Sequence, residues 1–78
     1  MANEIVAPLP GIFYRRPAPD KPEYVLEGDE VKPGDVIGLI EIMKTFYEVK
    51  AEESGVVDKF LVNNEDTVEA GQQLLALK

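Results

Sequence analysis

Neither cysteine nor histidine occurs among the 78 residues of the chain. Their absence excludes disulfide stapling and zinc sites built on Cys or His. It also removes the thiol nucleophile and the commonest general base, which weakens the case for an enzyme and leaves carboxylates for any acid–base chemistry. No apolar run approaches the roughly 20 residues needed to cross a bilayer. The opening residues Met1-Ala2-Asn3-Glu4 lack the basic and apolar regions of a secretory signal, so a cytoplasmic location is expected. Basic residues are few: 8 Lys and Arg stand against 15 Asp and Glu, for a net charge of -7. Such a surface repels nucleic acid and anionic membranes, and neither is expected as a partner. It attracts basic protein surfaces, and it also keeps a small domain soluble.

Helical periodicity is missing as well, since no stretch of about 11 residues keeps apolar positions at the 3.6 period. Short runs of Val, Ile, Leu, Phe and Tyr are separated instead by Gly, Pro, Asn and Asp. They predict strands at residues 4–8, 11–15, 23–26, 36–42, 46–51, 55–62 and 73–77, with extended pieces near 30–32 and 67–69. A chain of this length forms one domain, spanning 1–78. The fold class is all-β, a sandwich or barrel.

The chain repeats itself. Val31-Lys32-Pro33-Gly34-Asp35-Val36 aligns with Val68-Glu69-Ala70-Gly71-Gln72-Gln73, at an offset of 37 residues. Gly34 and Gly71 hold the position that a type II turn reserves for glycine. Ala51-Glu52-Glu53-Ser54-Gly55 aligns with Ala7-Pro8-Leu9-Pro10-Gly11, at an offset of 44. The first half therefore carries seven additional residues between Gly11 and Val31. Arg16-Pro17-Ala18-Pro19-Asp20-Lys21-Pro22 supplies them, and its three prolines exclude a central strand and predict a stiff protruding loop at about 16–22. Two similar β halves imply a pseudo-two-fold domain in which neither half buries its apolar face alone.

The handover between the halves falls at Met43-Lys44-Thr45, between predicted strands ending at Ile42 and starting at Phe46. A lysine at a hairpin tip stands clear of the body, where a macromolecular modifying enzyme can reach its amine. That amine is protonated at neutral pH, so the enzyme must remove the proton. Met43 is an unusual turn residue, because tight hairpins favour Gly, Asn, Asp or Pro. A broken local rule beside the tip lysine marks a candidate functional site. On its own, a turn lysine with Met43 folded inward would be an ordinary solvated residue.

Glu41-Ile42-Met43-Lys44-Thr45 resembles the Glu-Ala-Met-Lys-Met motif of the biotinyl/lipoyl-attachment domain family. The resemblance runs from about Ile5 to Lys78. Ala7-Pro8-Leu9-Pro10-Gly11-Ile12-Phe13-Tyr14-Arg15 resembles the opening of the biotin carboxyl carrier proteins of acetyl-CoA carboxylases, and Ser54-Gly55-Val56-Val57 the start of their second half. Pro17-Ala18-Pro19-Asp20 resembles the thumb of those proteins, a loop that reaches towards the biotin. The chain departs from the motif at Ile42 and Thr45. Lipoyl domains share the fold but usually place Asp before the lysine and lack the thumb, so Met43 and the loop favour biotin.

The resemblance implies a flattened β-barrel of two four-stranded antiparallel sheets with pseudo-two-fold symmetry, a barrel-sandwich hybrid. It implies covalent biotin on Lys44, flanked by Glu41, Met43 and Thr45, with Pro17, Pro19 and Asp20 as thumb residues. The implied partners are a biotin protein ligase, a biotin carboxylase that carboxylates the biotin, and a carboxyltransferase that receives the carboxyl group for acetyl-CoA or another acyl-CoA. The domain would be a non-catalytic carrier. Two other readings stay open: a lipoyl carrier with lipoate on Lys44 for a 2-oxo acid dehydrogenase system, and an unmodified β-barrel interaction module. Among the remaining residues, Tyr14 and Tyr24 are expected to pack at the base of the loop. Arg15 and Arg16 are expected as solvated loop charges or contacts to an anion, and Glu48 flanks the hairpin beside Glu41.

Overall fold

The structure is a computed structural model that describes residues 3–78, the side chain of Asn3 excepted. Eight strands follow one another: β1 (Asn3–Val6), β2 (Gly11–Tyr14), β3 (Glu30–Val31), β4 (Val36–Ile42), β5 (Thr45–Lys50), β6 (Gly55–Phe60), β7 (Thr67–Val68) and β8 (Gln73–Leu77). They form two antiparallel four-stranded sheets, ordered β1-β8-β6-β3 and β5-β4-β2-β7. No helix occurs among the described residues. The sheets face each other in a flattened body of 35 × 27 × 20 Å, as expected for the two-sheet barrel.

The sequence repeat becomes a two-fold relation. Exchanging β1 with β5, β2 with β6, β3 with β7 and β4 with β8 turns one sheet order into the other. Each sheet therefore draws strands from both halves, which is why neither half can close a core alone. The turns repeat bond for bond. Asp35 N–H donates to Lys32 O, and Gln72 N–H to Glu69 O, both at 3.0 Å. Gly34 N–H donates to Ala51 O, and Gly71 N–H to Ala7 O, both at 2.8 Å. Gly34 and Gly71 have φ of 95° and 84°, the left-handed backbone that type II turns demand at this place.

Inward-facing positions of both sheets supply the core. Phe13, Ile37, Ile40, Leu74, Leu75 and Leu77 are fully buried, with Val31, Val49, Val57 and Val68 around them. Each such side chain contributes about 1.5–3 kcal/mol by leaving water. β4 is buried from Ile37 to Ile40, the continuous run of a strand covered on both faces. Gly38 is required within it: a Cβ there would lie 2.5 Å from the Phe13 ring and 2.8 Å from the Tyr14 carbonyl oxygen.

One predicted strand is absent. Residues 23–26 form an irregular connection, not a strand, although Val25 is buried and Tyr24 packs on the core. Their backbone bonds go to the loop base and to their own turn: Tyr24 N–H donates to Arg15 O at 2.9 Å, and Leu26 O accepts from Asp29 N–H at 3.0 Å. The side chains of Tyr24 and Val25 cover apolar surface without joining a ladder. Elsewhere the predicted bounds shift by one to two residues: β1 begins at Asn3 and ends at Val6, β2 ends at Tyr14, β5 runs Thr45–Lys50, and β6 ends at Phe60.

The connection from β2 to β3 contains the proline-rich segment. Its base is closed by Tyr24 N–H donating to Arg15 O at 2.9 Å. Glu23 accepts ion pairs from Arg15 at 3.3 Å and Arg16 at 3.4 Å. The Arg15 guanidinium also lies 3.7 Å from the centre of the Phe60 ring. Both arginines thus hold the loop base together, beyond the solvated or anion-binding roles expected of them. The turn is at Pro19-Asp20, closed by Lys21 N–H to Ala18 O at 3.0 Å, with Pro at the position where its fixed φ favours a turn.

Candidate functional site

β4 and β5 form the longest antiparallel pair, in register from Leu39↔Glu48 through Ile40↔Tyr47 and Glu41↔Phe46 to Ile42↔Thr45. Only Met43 and Lys44 remain between Ile42 and Thr45. Their φ values are 49° and 67°. Two consecutive positive values in a two-residue loop define a type I′ turn, whose twist matches that of the flanking strands. Gly, Asn and Asp are the residues that take this backbone readily; Met and Lys do so at about 1–2 kcal/mol each. The hairpin ladder on either side holds them there.

Met43 does not fold inward: it is 92% exposed. Lys44 is exposed beside it and makes no ion pair among the described residues. All six lysines of the chain are exposed. Accessibility therefore does not single out Lys44; position does, since Lys21 lies in the proline-rich loop, Lys32 in a turn, Lys50 and Lys59 in strands and Lys78 at the chain end. Thr45 is exposed at the first position of β5.

Beneath the tip, the structure assembles a cluster that the sequence did not disclose. The Tyr14 hydroxyl of β2 donates to Glu41 Oε1 of β4 at 2.8 Å. The Tyr14 ring packs against Phe46 of β5, with ring centres 6.1 Å apart. Tyr14 is thus part of the hairpin surface as well as the loop base. The bond to the Glu41 carboxylate raises its pKa above the ordinary tyrosine range, aided by burial and by the negative charges of Glu41 and Glu65. Tyr24 is raised too, by burial and then by the charge of Glu48. No sequence pattern pairs Tyr14 with Glu41, which lie 27 residues apart.

The proline-rich loop meets this cluster. Pro17, Ala18 and Pro19 face Phe46 and Tyr14 across a cleft of about 230 Å³. Arg16, Asn64 and Glu65 complete its walls. Pro17 and Pro19 are therefore brought to the hairpin strand, whereas Asp20 is exposed at the loop turn and outside the cleft walls.

The two facing sheets and the exposed Met43-Lys44 tip define the class of the protein: a small all-β domain with a lysine-tipped hairpin. A family profile described as "Biotin-requiring enzyme", covering biotinyl and lipoyl domains, matches residues 3–77. The biotin carboxyl carrier protein of acetyl-CoA carboxylase from Streptococcus pyogenes is 45% identical over 74 residues, covering 95% of this chain and 45% of the relative. The protein of the same name from Nostoc is 40% identical, covering 96% of this chain and 41% of the relative. The crystal structure of urea carboxylase from Kluyveromyces lactis superposes with a TM-score of 0.79 at 35% identity, covering all of this chain and 6% of that one. The chain belongs to the biotinyl/lipoyl-attachment family. The curated relatives bear the name of a biotin carboxyl carrier protein, which favours the biotinyl over the lipoyl and unmodified readings. The chain spans less than half the length of the curated relatives named here.

Proposed function

We propose that biotin is attached to Lys44 and that the domain shuttles a carboxyl group between two active sites of a biotin-dependent carboxylase. The observation that carries this reading is the Met43-Lys44 type I′ turn: of six exposed lysines, Lys44 alone tops a rigid hairpin at the junction of the two halves. A biotin protein ligase removes a proton from the Lys44 Nζ, which attacks the activated biotinyl carbon. An amide forms and the activating group leaves. Met43, Thr45 and Glu41 form the surface the ligase reads around the amine. Bound there, biotin supplies a ring nitrogen that accepts and releases a carboxyl group.

The chain's own contribution is presentation. The hairpin keeps the lysine stem clear of the barrel, and the tether raises the local concentration of the carried group at each active site. Pro17 and Pro19 border the approach to the hairpin as a thumb with Asp20 at its outer turn, on a single domain covering 1–78. A biotin carboxylase, using ATP and bicarbonate, is the donor site. A carboxyltransferase, passing the group to acetyl-CoA or another acyl-CoA, is the acceptor site. The names of the curated relatives support an acetyl-CoA carboxylase. A cytoplasmic location belongs to the same proposal.

The test uses biotinylated domain, a biotin carboxylase, ATP and radiolabelled bicarbonate. Acid-labile label is expected on the domain, and it is expected to pass to an acyl-CoA when carboxyltransferase is added. A biotinylated domain that takes up no label would overturn the carboxyl-carrier role. A domain that accepts lipoate and refuses biotin would overturn the cofactor.

A further inference from the structure

We infer that Tyr14 is a positioning residue for the modification of Lys44: it fixes the Glu41 carboxylate and the Phe46 ring as one surface beneath the hairpin tip, ready for a cationic or N–H-donating patch on the modifying enzyme. The inference rests on the proposal that a ligase modifies Lys44. Glu41 lies three residues before Lys44 and pairs across the hairpin with Phe46. A glutamate on a strand end has three rotatable side-chain bonds, and holding it still costs entropy when a partner binds. Tyr14 meets that cost in advance. Its hydroxyl donates to Glu41 Oε1 at 2.8 Å, and the second carboxylate oxygen has no hydrogen bond among the described residues.

The same ring lies 6.1 Å from Phe46, centre to centre. Phe46 is 57% exposed, an apolar surface large enough to take part in docking but unsupported by the core. Tyr14 packs against it, and both rings line the cleft that Pro17 and Pro19 close. One side chain from β2 therefore organises a carboxylate from β4 and an aromatic ring from β5. Preorganisation of this kind acts on affinity, not on the chemical step at the lysine.

The experiment is steady-state biotinylation of the unmodified domain by a biotin protein ligase, with the domain as varied substrate. The variants are Tyr14→Phe, Glu41→Ala and the pair together. Tyr14→Phe keeps the ring against Phe46 and removes only the hydroxyl, so the domain is expected to stay folded, with the thermal midpoint lowered by no more than one hydrogen bond accounts for. Its KM is expected to rise about five-fold, the worth of one ordinary hydrogen bond, with kcat unchanged. Glu41→Ala is expected to raise KM about ten-fold or more, as for a hydrogen bond to a charged group. In the double variant the effects are expected not to multiply, because Tyr14 has no carboxylate left to hold. An unchanged KM for Tyr14→Phe, or multiplicative effects in the pair, would overturn the role of Tyr14 while leaving Lys44 as the site. A wild-type domain left unmodified at Lys44 would instead remove the parent proposal, and this inference with it.

Discussion

Glu65 has φ of 71°, a backbone that an acidic residue adopts only under constraint. The repeat explains it. Gly28 occupies the equivalent place in the first half, with φ of 95°, and the surrounding bonds agree: Gly28 N–H donates to Val57 O, as Glu65 N–H donates to Phe13 O. The fold demands left-handed backbone at both places and has glycine at only one. Glu65→Gly is expected to stabilise the domain by about 1 kcal/mol, read as a higher urea midpoint with unchanged slope. A lower midpoint would show that the Glu65 side chain contributes more than its backbone costs. The tyrosines give a pH dependence. Tyr14 and Tyr24 have folded pKa values above their unfolded values, so both favour the protonated, folded state. Their contribution is complete below the unfolded pKa of about 10 and is lost as pH rises through the folded values. Stability is therefore expected to fall above about pH 10, and to fall less steeply in a Tyr14→Phe, Tyr24→Phe variant. Parallel alkaline unfolding curves for the two proteins would contradict this.

Among the elements, those that close their own turns were the most legible. The Pro33-Gly34 and Ala70-Gly71 turns carry their geometry in glycine, and the strands after them carry it in apolar runs, so β4 and β8 fall within the predicted bounds. Residues 23–26 mislead because their β-like run records the burial of Val25 and the packing of Tyr24, while Leu26 stays exposed, and burial alone does not make a strand. The Met43-Lys44 turn was visible as a hairpin by its position between strands. Its type I′ backbone was not, since neither residue belongs to those that favour it. The Tyr14–Glu41 bond was hidden because it depends on the β2–β4 register. The proline-rich loop was legible from its excess length, and the structure adds that its ends meet through Tyr24 and Arg15. Removing residues 17–22 and joining Arg16 to Glu23 through one or two glycines is expected to cost about 1 kcal/mol or less, since the two ends already lie together. Circular dichroism melting checks this. A loss of cooperative unfolding would mean that the loop holds the barrel together.

Across the whole molecule, the two-fold relation pairs the β4–β5 hairpin with the β8–β1 pair, which is the same ladder without a connecting turn. Asn3 stands opposite Leu77, and Glu4 opposite Ala76. A circular permutant that joins Lys78 to Asn3 through a short Asn-Gly turn and opens the chain within the proline-rich loop is expected to fold to the same barrel. Amide spectra that match the parent away from the new joints would support this. A chain that fails to fold would show that chain order, and not only the interleaving of the halves, specifies the structure. The symmetry also sharpens the functional assignment. The domain has two equivalent strand pairs, and only one of them is closed by a turn bearing a lysine.

The most direct measurement is therefore the mass of the domain after co-expression with a biotin protein ligase, with peptide mapping of the modified residue. Wild type is expected to carry a single biotin on Lys44, and Lys44→Arg, which keeps charge and fold, is expected to carry none. Biotin on any of the other five lysines, or undiminished labelling of Lys44→Arg, would contradict the assignment.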